Sequence, residues 1–292
     1  MTVLLLGSTG NVGPHTVESL LEAGSDVRVL ARDAARARGI LPASVTVIEG
    51  DPATDADLLA AADGATAVLL LSGHGFTMAE TQLRVIRALR REPIRIVKLS
   101  ATSSAIRHDG PHVARQHWEV EEVLKGGDNP FVILRPNTFM QVGIGWLMGA
   151  AAQSGDAVPN PIGTAGVSMV DARDVGTVAA RALAADSWDG ETLVLTGPEA
   201  VTYPQIAEQI AAVTGTELRL FDMTPAGVQA ALIGRGVEPW EAEHFAEMYQ
   251  LIRDGESAFV TDDILRVTNR ASSTVASYIV ESAAAGLFTR KH

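Results

Sequence analysis

The chain opens on Thr2-Val3-Leu4-Leu5-Leu6-Gly7-Ser8-Thr9-Gly10-Asn11-Val12-Gly13-Pro14. A short aliphatic run passes directly into a turn whose glycines are spaced three and three. A helical pattern, Val12–Ala23, starts before the turn is over. Strands that read as continuously apolar are buried on both faces, which is the condition of a parallel sheet covered by helices. Pro14 fits the first helical turn, because it gives up only an N–H that has no intrahelical partner there. The segment therefore reads strand, sharp turn, helix.

The same rhythm continues outward. Strands are expected at Thr2–Leu6, Val27–Ala31, Val45–Ile48, Thr66–Leu71, Ile94–Ser100 and Phe131–Arg135. Amphipathic stretches near Val12–Ala23, Asp33–Gly39, Thr54–Ala61, Thr77–Arg91 and His112–Lys125 lie between them. Strict alternation of strand and helix means parallel strands joined by right-handed crossovers, an α/β sheet of the doubly wound kind. Local chemistry marks the helix starts. Asp33 is placed to cap the second helix, and Thr54 with Asp57 resembles a capping box. Asp171 and Asp174 precede the run Val175–Leu183 and are expected at its N-terminus.

After about residue 136 the rhythm changes. Gly143, Gly145, Gly149 and Gly155 interrupt an apolar segment, followed by Pro159-Asn160-Pro161 and Gly163. This reads as a helix leaving the sheet and a loop returning to it at Val167–Val170. Later come a strand at Leu193–Thr196, a helix at Tyr203–Val213, a strand at Glu217–Phe221 and further helices. The expected organisation is a cofactor domain, 1–140 plus about 166–186, and a smaller substrate lobe, 141–165 plus about 187–292. The smaller lobe is expected to be mixed α/β.

Composition bounds the function. The 292 residues are 47% hydrophobic and 20% charged, an ordinary globular balance that excludes disorder. A net charge of −12 argues against nucleic acid and against anionic lipid surfaces as partners. The longest aliphatic runs, Val3–Leu6 and Val68–Leu71, fall far short of the ~18 residues a membrane span needs. No basic region precedes the first apolar run, so no signal peptide is expected, and a cytoplasmic location is. There is no cysteine, hence no disulfide or zinc–thiolate site, and no spacing suits a metal.

Gly7, Gly10 and Gly13 are analogous to the dinucleotide fingerprint: a sharp turn, close backbone approach to pyrophosphate, and tight helix–strand packing. Thr9, Asn11 and Val12 complete the loop that would face the phosphates. The plain alternative is a tight turn with no ligand. No Gly-Lys-Ser/Thr follows, which excludes a Walker loop. At the end of the second strand, Arg32 stands where a carboxylate would otherwise hold the ribose 2′-hydroxyl. A guanidinium there favours a 2′-phosphate, and so NADP over NAD. Asp33 beside it could instead hold the 2′-hydroxyl, and Arg32 could be a solvated surface residue. Asp51, after Gly50, could reach the adenine amine or simply form a cap before Pro52. Ser72 and Gly73 are expected under the cofactor. His74 reads as a loop residue.

Together these residues resemble the NmrA-like branch of the atypical short-chain dehydrogenases/reductases. The likeness rests on the Gly7–Gly13 turn, Val27-Arg28-Val29-Leu30-Ala31-Arg32, Val97-Lys98-Leu99-Ser100 and Leu134-Arg135-Pro136-Asn137-Thr138-Phe139-Met140. It continues through Val170-Asp171-Ala172-Arg173-Asp174-Val175, Leu195-Thr196-Gly197-Pro198 and Val260-Thr261-Asp262, nearly the whole chain. The resemblance implies a Rossmann-type domain that binds NADP(H), with Ser100, Asn137 and Phe139 near the cofactor. Members include quinone, azo-dye and triphenylmethane reductases as well as redox-sensing regulators.

Short-chain dehydrogenases generally carry a Tyr-x-x-x-Lys pair on the helix after the fifth strand. Here that helix, His112–Lys125, has no tyrosine. His117 lies on its apolar stripe with Val113, Val120 and Leu124, so it should point toward the sheet. It either orients the nicotinamide ribose or donates a proton near it, or is a helical histidine satisfied by a neighbour. Glu119, Glu121 and Glu122 read as the solvated side. Phe139, Met140 and Trp146 could line an apolar pocket for a planar acceptor or could be packing residues. The expected function is hydride transfer from NADP(H) to a small aromatic or quinonoid molecule, by a monomer or homodimer. The alternatives are an NADP(H)-sensing regulator without turnover and a biosynthetic tailoring reductase.

Overall fold

The computed structural model describes residues 1–154 and 157–288, and Gly155 lies outside them. The first half alternates as expected: β1 (Thr2–Leu6), α1 (Gly13–Glu22), β2 (Asp26–Ala31), α2 (Ala34–Ile40), β3 (Thr46–Glu49) and α3 (Asp55–Ala62). It continues with β4 (Ala67–Leu70), α4 (Met78–Leu89), β5 (Arg95–Leu99), α5 (His112–Lys125) and β6 (Phe131–Pro136). Then come α6 (Met140–Ser154), β7 (Ala157–Asn160), α7 (Ala172–Ala184), β8 (Thr192–Leu195), α8 (Tyr203–Thr214) and β9 (Arg219–Asp222). Four helices close the chain: α9 (Pro225–Gly234), α10 (Pro239–Arg253), α11 (Asp263–Thr268) and α12 (Val275–Ala284).

Seven strands form one sheet in the order β3-β2-β1-β4-β5-β6-β8. The pairings from β3 through β6 are parallel, with Leu4 opposite Arg28 on one side and Val68 on the other. Strand order reverses beside β1, so the C-terminal ends of β1 and β4 flank the crevice where ligands of such sheets sit. This is a Rossmann-like α/β fold.

The chain divides into two compact units. The first holds Met1–Pro136, Ala172–Val194 and Arg266–Asn269; the second holds Asn137–Asp171, Leu195–Leu265 and Arg270–His292. In the first, alternation sorts the strand residues onto two faces. Leu4, Leu6, Val68, Leu70, Ile96 and Ile133 pack against Leu58, Val85, Leu89, Val120 and Leu124 of α3, α4 and α5. Helices α1 and α7 lie against each other. Gly176 makes that approach possible, since a Cβ there would fall 2.7 Å from His15 Cβ and 2.9 Å from the Thr16 nitrogen.

In the second unit β7 pairs in parallel with β9. Its core gathers Met140, Ile144, Leu147, Val158, Met169, Tyr203, Ile206 and Ile279. Helix α6 runs unbroken through Gly143, Gly145 and Gly149; Gly143 leaves room for Met169, whose Cε would lie 2.8 Å from a Cβ there. The segment Val167–Val170, expected as a loop returning to the sheet, instead makes isolated bridges, Val167 to Val201 and Val170 to Phe139. Side chains replace a ladder here: Ser168 Oγ donates to the Phe259 carbonyl at 2.5 Å, and Asn137 Nδ2 donates to Ser168 Oγ at 2.8 Å. Among the described residues, no helix is long and apolar enough to cross a membrane.

Candidate cofactor-binding and proton-transfer site

The glycine turn is built by what its residues lack. Gly7 has φ +77°, and a Cβ there would lie 2.2 Å from the Leu71 carbonyl oxygen at the end of β4. A Cβ on Gly13 would lie 2.3 Å from the Ser8 carbonyl oxygen. Gly10 is different, with nothing within 4 Å of its Cβ position. Val12 opens α1 without any side-chain cap, and Pro14 sits in the first turn. Among the described residues the first N–H groups of α1 therefore have no capping side chain, and they carry the positive end of the helix dipole. Ser8 Oγ is buried without a hydrogen-bond partner among the described residues. A buried hydroxyl beside an uncapped helix start is a donor set suited to an anionic phosphate. The turn thus fits the pyrophosphate of a dinucleotide.

At the edge of β2, Asp33 and Arg32 stand in different surroundings. Asp33 caps α2, its Oδ1 accepting from the Arg36 nitrogen at 2.8 Å. Arg32 is exposed just before it, and no ion pair among the described residues holds its guanidinium. Asp51 Oδ1 accepts from the Ala53 nitrogen at 2.9 Å, so one carboxylate oxygen closes a local turn. The Thr54–Asp57 capping box does not form. Thr54 is the N-cap without a side-chain bond, because Asp57 Oδ2 reaches back to accept from the Asp51 nitrogen at 2.9 Å.

The loop after β4 is anchored from α4 and α5. Ser72 Oγ accepts from Gln82 Nε2 at 2.8 Å. Gln116 spans two elements: its Oε1 accepts from Ala79, in the first turn of α4, at 2.8 Å, and its Nε2 donates to the Gly75 carbonyl at 2.9 Å. His112 stacks on Phe76 with ring centroids 4.8 Å apart. Gly73 and His74 are exposed between these anchors. Sequence patterning missed the two glutamines, since one polar residue on a helix face carries no periodic signal.

The densest polar chemistry lies under α5. His117 is buried, as its place on the apolar stripe predicts, and its Nδ1 is 2.8 Å from Nζ of Lys98 on β5. Lys98 has no exposed surface, and its ammonium also donates to the Leu99 carbonyl at 3.2 Å. Glu121 corrects the expectation of a solvated residue: it is fully buried, one helical turn beyond His117. Its Oε1 accepts from Ser100 Oγ at 2.5 Å and Arg135 Nε at 3.1 Å, and its Oε2 from Arg135 Nη2 at 2.5 Å. Burial alone would raise the Glu121 carboxyl, but the hydrogen bonds from Arg135 and Ser100 and the nearby cations hold it below its ordinary value. For Lys98 burial wins. Desolvation outweighs the attraction of Glu121, Arg135 adds repulsion, and the ammonium is pushed down to about 7. An apolar count passes over Glu121, although it falls on the stripe of Val113, His117, Val120 and Leu124, and over Lys98 and Arg135, which stand in mostly apolar strands.

Asn137 and Phe139 belong to the second unit. Asn137 is buried, donating also to the Ser257 carbonyl at 3.0 Å and accepting from the Thr138 nitrogen at 2.9 Å. These bonds make it a structural clamp in that unit. Phe139 is half-buried, and its carbonyl accepts from Gly143 at the start of α6. Met140 is core. Trp146 packs at 6.2 Å from Tyr203 and 6.3 Å from Tyr249, and lines a cavity of about 230 Å³ with Pro159, Phe221, Met223 and Arg235. Among the described residues no cluster could hold a metal ion.

Residues 7–186 match the NAD(P)H-binding family. The chain is 27% identical to NAD(P)H azoreductase of Xenophilus azovorans over 97% of its own length and 98% of that protein. It is 30% identical to (4-alkanoyl-5-oxo-2,5-dihydrofuran-3-yl)methyl phosphate reductase of Streptomyces griseus, with the same coverage. The solved structure of the Escherichia coli NADPH-dependent quinone oxidoreductase QOR2 with NADPH superposes with a TM-score of 0.85 at 20% identity, over 96% of this chain and 99% of that one. The glycine turn, the uncapped α1 and these relatives agree: the chain belongs to the NAD(P)H-binding family, in its NmrA-like branch of atypical short-chain dehydrogenases/reductases.

Proposed function

We propose that this protein is an NADPH-dependent reductase of a small planar acceptor, a quinone or a related conjugated molecule. The carrying observation is the buried Lys98–His117 pair at the C-terminal edge of β5. Burying an amine beside an imidazole is costly for a protein that only binds a cofactor, and useful for one that must supply a proton. The names of the azoreductase and quinone oxidoreductase relatives support the same acceptor class.

In this reading the N–H groups of the Gly7–Gly13 turn and of α1 hold the pyrophosphate, with Ser8 Oγ beside them. Arg32 pairs the 2′-phosphate and selects NADPH, while Ser72, Gly73 and Ser100 form the floor of the crevice. The bound dihydronicotinamide supplies the hydride. His117 supplies the proton, and α5 keeps water from the imidazole. A quinone asks less of an acid than a ketone does, because its reduced form is a stabilised anion, so a histidine can serve where other members of the superfamily use tyrosine.

The test is NADPH oxidation at 340 nm against a panel of quinones and azo dyes. Turnover of at least one quinone is expected. Tight NADPH binding without oxidation across the panel would replace this reading by that of a cofactor sensor.

A further inference from the structure

Lys98 is the one buried cation under α5 without a carboxylate of its own among the bonds described. Glu121 is committed to Arg135 through both oxygens and to Ser100, with Lys125 Nζ 3.5 Å from its Oε2. An ammonium has three hydrogens to place. Two go to His117 Nδ1 and the Leu99 carbonyl. Neighbouring β4 brings only Ala67, Val68, Leu69 and Leu70, and the buried side of α4, packed on α5, brings Met78, Gln82, Val85 and Ile86. Among the described residues, the ionisable groups around Lys98 are thus His117 and Glu121 from α5, Arg135 from β6, and Lys125 behind Glu121.

From this geometry we propose that Lys98 is the proton source for His117. Its ammonium donates to Nδ1, which places the imidazole hydrogen on Nε2. As Nε2 gives that hydrogen to the acceptor, the Lys98 proton moves to Nδ1. The inference rests on the reductase reading above and extends it from the donor to what refills the donor. For a quinone the sum balances: the acceptor gains a hydride and one proton and becomes the hydroquinone, the dihydronicotinamide is oxidised, and Lys98 is left as a neutral amine that water reprotonates. Lys98 acts through His117 and is a positioning residue. Its low ionisation, about 7, makes the proton transferable at neutral pH.

Two measurements test this. Nitrogen-15 NMR of histidine-labelled protein, with the His117 signals identified by their loss in His117→Asn, reads the tautomer without turnover. At pH 6 the expected wild-type state has Nδ1 unprotonated and Nε2 protonated, and Lys98→Met abolishes that preference. The second is the pH profile of kcat with NADPH and 1,4-naphthoquinone. Wild-type kcat is expected to fall as pH rises through about 7. Lys98→Met should lower kcat about ten- to a hundredfold at pH 6.5, leave KM nearly unchanged and remove that fall. A hydrogen on Nδ1 in the wild type, or a Lys98→Met profile parallel to wild type, overturns the proposal while leaving the reductase standing. Absence of turnover by the wild type with any quinone removes the reductase reading and the transfer step together. If Lys98→Met does not fold, the wild-type tautomer decides alone.

Discussion

The glycine turn after β1 and the charged knot under α5 serve the same end of the same sheet by opposite means. The turn works by omission: Gly7 and Gly13 let backbone pass where a methyl group could not stand. The knot works by concentration, with Lys98, His117, Glu121 and Arg135 all drawn out of water at the edge of two strands. An omission is read along the chain, because all its parts are consecutive. A knot is read only across the chain, because its four members come from three elements.

The largest effect should separate the two regions by stability. Glu121→Ala leaves Arg135 and Lys98 without the only carboxylate described among them, and should destabilise the fold by about 3–5 kcal/mol in urea unfolding. The Glu121 carboxyl is held below its ordinary value of 4.5, so the stability it confers is present above that value and lost as pH falls through the lower folded one. Glu121→Gln should therefore show a flatter acid limb than wild type; equal slopes would mean that the knot is electrostatically idle.

Gly13→Ala drives a methyl group into the Ser8 backbone. A loss of about 1–3 kcal/mol is expected, together with weakened NADPH binding by fluorescence titration. Unchanged affinity would show that the turn does not touch the cofactor. Arg32→Ala leaves stability alone and should cost about tenfold in NADPH affinity, ~1.4 kcal/mol, with NADH affinity unchanged. Equal loss for both would remove the 2′-phosphate assignment. The smallest effect belongs to Asp33→Ala, which deletes the α2 cap for about 1 kcal/mol and lowers Tm by a few degrees. A change in cofactor preference there would return Asp33 to the ribose.

This contrast explains what the sequence discloses. Strands β1 and β4 are legible because burial on both faces makes them apolar almost throughout, and α5 is legible to the residue. His117 follows from its stripe. Lys98 does not, since a lone lysine in a strand carries no mark of which face it takes until α5 is laid over it. Glu121 is hidden for the same reason: counting apolar residues alone passes over a charge on the buried stripe. Thr54 shows the limit of local motifs, because Asp57 found a better partner in the Asp51 nitrogen. In the second unit Val167–Val170 has a strand's composition, yet side-chain bonds through Ser168 and Asn137 hold it as bridges.

Gly176 has a consequence in time. Helix α1, which carries the phosphate-binding turn, leans on a helix encoded some 160 residues later, with Gly176 meeting His15 and Thr16. Helix α7 also packs on β4, β5 and β6. A nascent chain that has released only its first six strands still lacks that cover, and the apolar residues of β4, β5 and β6 on that side stay wetted until α7 follows. The cofactor half of this protein is thus completed late in synthesis, although nearly all of its binding residues emerge first.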